Sequence, residues 1–123
     1  MKVMEIGIKS LDEGWKDFKE AFLAAKNRTP FKPRTGTYFT SLEAARNFLT
    51  PKRIELLHVI KTKSPKSLYE LAKMSGRGFP SVMRDVNILA RHGLIRLTSK
   101  AAAPRKKVHP EVLYDVINLR IGI

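Results

Sequence analysis

A chain of 123 residues has room for one core and a short extension, and not for a second, separately folded catalytic domain. Hydrophobic residues (43%) outnumber charged ones (28%), so the chain can bury a core and is not disordered by composition. Against 11 acidic residues stand 24 Lys and Arg, a formal net charge of +13 that implies a polyanionic partner, nucleic acid being the commonest, and the lack of cysteine excludes disulfides and thiolate metal sites.

Met4, Ile6 and Ile8 alternate with Glu5, Gly7 and Lys9, the two-residue period of a half-buried strand, predicted over Val3 to Ile8. Ser10 ends it and, with Glu13, has capping-box spacing. Leu11, Trp15, Phe18, Phe22 and Ala25 then recur every three or four residues and predict an amphipathic helix to about Lys26. Three aromatics on one face are more than a lone surface helix leaves wet, so this helix is expected to pack on the domain or on a partner subunit. Asn27 to Thr37, with two prolines and a glycine, reads as a linker in which Arg28, Lys32 and Arg34 are better explained as solvated than as phosphate contacts.

Thr40 and Glu43 form a second capping box, ahead of a short helix carrying Leu42, Ala45, Phe48 and Leu49. Thr50-Pro51 reads as an N-cap followed by proline in the first turn, opening a helix whose buried side is expected at Ile54, Leu57 and Ile60 and which Ser64-Pro65 closes. Ser67 and Glu70 form a third box, leading Leu68, Leu71 and Ala72 into a helix of about two turns. The two glycines of Gly76-Arg77-Gly78 break it, and a longer helix is predicted from Phe79 to His92, stopped by Gly93. Leu94, Ile95 and Leu97 suggest a strand, Ser99 to Lys107 a protruding basic loop, and Val108 a return to extended structure. Ile117, Leu119, Ile121 and Ile123 alternate with Asn118, Arg120 and Gly122 in a terminal strand.

The unit that carries function is Ser67 to Thr98. A capped helix, a tight turn and a second helix cross so that one face of the second is buried and the other is free for a major groove. At about 100° per residue, Phe79, Val82, Met83, Val86, Leu89 and Ala90 fall on one side, and Ser81, Arg84, Ile88 and Arg91 on the other with Asn87 at its edge. Arg84 and Arg91 can meet guanine or phosphate, Asn87 can read adenine and Ile88 can touch a thymine methyl. Arg77 and Ser81, at the helix start, are expected to contact backbone phosphates. Lys100, Arg105, Lys106 and Lys107 lie between two extended segments, as a wing does, and could straddle the backbone or minor groove. For Arg84 or Arg91 taken singly, the bland alternative of a solvated surface charge explains the residue about as well as a contact does, whereas for the basic loop the contact is the better explanation.

The stretches LTPKRIELLHVI (Leu49 to Ile60), SLYELAKMSGR (Ser67 to Arg77) and VMRDVNILARHGLIRL (Val82 to Leu97), with the basic loop after them, resemble winged helix-turn-helix regulators of the MarR-like and ArsR-like group and small DNA-binding proteins of archaea and bacteria. The likeness covers Phe39 to Ile123. It implies that Phe79 to His92 is the recognition helix, that Ser99 to Lys107 is the wing, and that the protein acts as a homodimer on palindromic sites. The metal-sensing branch is not matched, because the chain lacks cysteine and paired His or Asp ligand motifs.

The expected fold is α+β and mainly helical, a winged helix-turn-helix domain over residues 37–123 with a C-terminal strand, preceded by a strand–helix extension and linker over residues 1–36. Trp15, Phe18, Phe22 and the final isoleucines exceed what a winged helix needs for itself, so homodimerisation through the first helix and the terminal strands is expected. No catalytic constellation is recognisable, and His58, His92 and His109 have no ligand-spaced companions, so neither enzymatic activity nor a cofactor or metal is expected. No stretch approaches the ~20 apolar residues of a membrane span, nor does Met1 to Ser10 have the apolar run of a signal peptide. The expected partner is therefore double-stranded DNA, and the expected role that of a cytoplasmic transcriptional regulator. The alternatives are an RNA- or ribosome-associated winged helix, or an antitoxin-type DNA-binding protein held by a protein partner.

Overall fold

The computed structural model describes residues 1–9, 11–27, 37–99 and 108–123. It is α+β and mainly helical, and it divides into two compact units.

Met1–Lys2 with Leu49–Asp115 form the first unit. It holds three helices, α3 (Pro51–Lys63), α4 (Leu68–Ser75) and α5 (Phe79–Arg91), then two strands, β3 (Arg96–Ser99) and β4 (Val108–Glu111). Thr50 caps α3 by accepting from the Arg53 N–H at 3.2 Å, with Pro51 in the first turn, and Ser67 caps α4 by accepting from the Glu70 N–H at 3.1 Å. The core is built from Leu56, Leu57, Val59 and Ile60 of α3, Leu68, Leu71 and Ala72 of α4, and Val82, Val86 and Leu89 of α5, with Leu94 and Ile95 entering from the turn before β3. Ile54, expected inside, is half exposed. At about 100° per residue a run spaced by three drifts 60° at each step; the buried arc centres on Leu56 and Ile60, which turns Ile54 outward. β3 and β4 pair antiparallel from Arg96↔Glu111 to Ser99↔Val108, with the Arg96 guanidinium bonded across the ladder to Glu111.

Val3–Phe48 with Val116–Ile123 form the second unit. It contains β1 (Val3–Ile8), α1 (Leu11–Asn27), β2 (Thr37–Phe39), α2 (Leu42–Phe48) and β5 (Val116–Ile121). The strands make one sheet in the order β2-β1-β5, all parallel. Parallel neighbours need a crossover, and α1 lies in the connection from β1 to β2. The β1–β5 register runs from Val3↔Val116 to Ile8↔Ile121, so Ile6 and Ile8 share a face with Leu119 and Ile121. On the opposite face Tyr38 lies against Gly7, where a Cβ would sit 2.7 Å from the ring, so a larger residue there would have to displace the tyrosine. Phe39 packs against Phe48, ring centres 5.1 Å apart. The cap of α2 is Ser41, which accepts from the Ala44 N–H at 3.1 Å, one residue beyond the Thr40 predicted from the box.

This division moves the expected boundary. The last strand belongs with the first, because β5 completes its ladder on β1, and β2 and α2 lie in the same unit rather than with the helices that follow. The terminal strands thus pair within a single chain.

Candidate nucleic-acid interface

The site begins at the turn between α4 and α5. Gly76 takes up the left-handed conformation, φ 68°, that closes α4, its N–H donating to the Lys73 carbonyl at 3.3 Å while the Arg77 N–H donates to Ala72 at 3.3 Å. Gly78 has φ −62°, ordinary for any residue, so only the first glycine of the pair is demanded by the backbone. No side chain caps α5, and Pro80 occupies its first turn.

α5 is held by its inner side. Val82, Val86 and Leu89 are 0% exposed. Beside them lies Asp85, also buried, whose two carboxylate oxygens take different arginines: Oδ1 accepts from Arg53 Nε of α3 at 3.0 Å and Oδ2 from Arg77 Nη2 of the turn at 2.7 Å. Burial by itself would raise the Asp85 pKa, but the hydrogen bonds from Arg77 and then Arg53 outweigh it and hold the carboxyl below its ordinary value. This triad fixes the rotation of α5 about its axis, because Asp85 can meet both arginines from one side only. Residues one and two steps away along the outer arc must then face out.

Ser81, Arg84, Asn87 and Arg91 are exposed, and Ile88 is half-buried at the edge of the same face. Arg84 and Arg91 have no hydrogen-bond or ion-pair partner among the described residues. Seven residues separate them, about 10 Å of helix, or roughly three base-pair steps of 3.4 Å along a duplex strand. Arg77, predicted as a phosphate contact, stands apart from this set: its guanidinium is engaged by Asp85, and its Nη1 is buried without a hydrogen-bond partner. Lys100, Arg105, Lys106 and Lys107 lie outside the described residues, as do Arg28, Lys32 and Arg34.

Two residues of the site escaped the sequence. Asp85 belongs to none of the sequence motifs singled out; its place in the apolar arc between Val82 and Val86 was the available signal. Tyr69 of α4 is 73% exposed, yet its ring stacks on Phe79 at the start of α5, centres 4.3 Å apart and planes 8° apart. It presents an exposed hydroxyl at the start of α5, on a ring held by that stack.

Among the described residues no cluster of three His, Asp or Glu is placed to hold a metal, and no helix is long and apolar enough to cross a membrane. The elements define a mainly helical α+β protein in which a helix pair joined by a tight turn is followed by an antiparallel hairpin, and its second helix exposes a polar, arginine-bearing face. The chain belongs to the HVO_A0114 family, whose model matches residues 48–119, more than half of it, taking in all of α3 to β4. No curated protein matches the chain. Family membership alone assigns no activity, so function is argued from the site.

Proposed function

We propose that this chain is a sequence-specific double-stranded-DNA-binding protein of the winged helix-turn-helix type, a transcriptional regulator rather than an enzyme. In this reading α4 and α5 are the helix-turn-helix, α5 enters the major groove, and the antiparallel pair β3 and β4 belongs to the wing. The observation that carries it is the mounting of α5: Asp85 is clamped from within while Arg84, Asn87 and Arg91 stand exposed at i, i+3 and i+7. Arginine and asparagine are the side chains suited to guanine and adenine edges, and Ile88 at the margin suits a thymine methyl. Ser81 and Tyr69 supply hydroxyls for the phosphate backbone, and the net charge of +13 supplies the sequence-independent attraction.

Duplex DNA is favoured over duplex RNA because the deep, narrow major groove of A-form RNA does not admit a helix. The test is in vitro selection from a random duplex pool at near-physiological salt, since so basic a chain holds any DNA at low ionic strength. Enrichment of a defined motif, with binding that structured RNA fails to displace, is the expected result. A pool that stays random, or displacement by RNA at equal concentration, overturns the proposal.

A further inference from the structure

The buried side chains of α5 are Val82, Asp85, Val86 and Leu89. At about 100° per residue, Pro80, Arg84, Asn87 and Arg91 fall within about 30° of the line opposite that arc, while Ser81 and Ile88 lie on one flank and Met83 and Ala90 on the other. A proline side chain has nothing to hydrogen-bond with. The outermost line of the helix therefore carries three polar side chains, Arg84, Asn87 and Arg91, and none has a partner among the described residues. Along the axis Asn87 stands about 4.5 Å beyond Arg84, and Arg91 about 6 Å beyond Asn87.

The three differ in what satisfies them. A guanidinium is met by a phosphate as well as by O6 and N7 of guanine, and its length lets it reach along a groove. An uncharged amide gains much less from a phosphate. The asparagine side chain is also short, so it reads only the base its own turn of helix lies against, and its two-pronged match is adenine, through N6 and N7. Ile88 follows about 1.5 Å on and about 100° round the helix. Thymine, the partner of adenine, shows its methyl in the same groove, so Asn87 and Ile88 together suit one A·T pair. The net charge of +13 draws the chain to any duplex and carries no sequence information, which leaves discrimination to these side chains.

This step rests on the reading of α5 as the groove-bound helix. We infer that Asn87 is its specificity-determining residue, and that α5 reads a core of about four base pairs with G·C at both ends and A·T inside. The arginines span about three steps of 3.4 Å, and Asn87 falls between one and two steps in from Arg84.

The experiment looks for an exchanged preference, because a loss of binding has many causes. Selection from a random duplex pool at roughly 0.15 M salt is run with the wild type, Asn87→Gln, Asn87→Arg and Asn87→Ala. The wild type should enrich a motif containing the core. Asn87→Gln keeps the amide and should keep A·T at the inner position, whereas Asn87→Arg should change that position alone to G·C. The added charge of Asn87→Arg tightens binding to every duplex, so the readout is the composition of the motif and not the affinity. Asn87→Ala should lose roughly five- to a hundredfold of the discrimination between the motif and a duplex with its inner pair exchanged, with binding to a scrambled duplex unchanged. Asn87 is exposed, so all three variants should keep the wild-type circular dichroism spectrum and unfolding midpoint. A motif without the inner A·T pair, or one that Asn87→Arg leaves unaltered, overturns the inference and leaves duplex binding standing. A wild-type pool that stays random overturns the reading beneath it as well.

Discussion

α5 and α1 are both amphipathic helices, and they use their two sides in opposite ways. α5 buries Val82, Val86 and Leu89 completely and leaves Arg84, Asn87 and Arg91 in water; α1 leaves Trp15, Phe18 and Phe22 in water and has no such anchor among its described side chains. A helix that has already spent its apolar face on its own core can offer only polar recognition, and its orientation is fixed before any partner arrives. One whose apolar face is unspent offers hydrophobic association, and its final environment is set by what covers it. The cationic charge follows the same partition, absent in sum from residues 1–27 and concentrated beyond them.

The contrast can be broken most forcefully at the clamp. Asp85→Ala leaves Arg53 and Arg77 facing each other with no carboxylate between them, and should cost about 3–5 kcal/mol of stability in urea unfolding, the usual penalty for removing one member of a buried ion pair. Its pH dependence has a definite sign. The folded carboxyl titrates below 3.8, its value in the unfolded chain, so its contribution is complete above that pH and is lost as the pH falls through the lower folded value. The gap between wild type and Asp85→Ala should therefore narrow on acidification, and a constant gap would show that the ion triad does not stabilise the fold.

Leu89→Ala opens a cavity under α5 and should cost about 2–5 kcal/mol. Ser67→Ala removes the α4 cap and should cost about 1 kcal/mol. At the other extreme, Phe18→Glu in dilute solution should change unfolding free energy by less than about 0.5 kcal/mol, because an exposed side chain of the lone chain loses little. If Phe18→Glu destabilised the dilute protein as much as Leu89→Ala does, the two helices would not differ in the way described.

The stretch from Thr50 to Gly93 was legible because its signals are local: threonine and serine caps, a proline in a first turn, a glycine forced into positive φ, and apolar spacing that survives in Leu68, Leu71, Ala72, Val82, Val86 and Leu89. What the sequence hid was non-local. β2 is three residues long and exists through its register on β1, so Thr37 to Phe39 carries no pattern of its own. The pairing of β5 with β1 joins the two ends of the chain, and alternation in Ile117 to Ile123 could not say which strand would receive it. Arg77 looked free because its partner Asp85 lies eight residues on, across the turn. Ile54 was misplaced because α3 is apolar around much of its circumference, which leaves the phase of its buried arc to the neighbours.

The central claim, that the outer face of α5 reads base identity, is tested most directly by Arg84→Ala on two duplexes at roughly 0.15 M salt, one carrying the selected motif and one with its bases scrambled. The expected result is a loss of about 1–3 kcal/mol on the motif and a much smaller loss on the scrambled duplex. Equal losses on both would reduce Arg84 to a phosphate contact and contradict the claim.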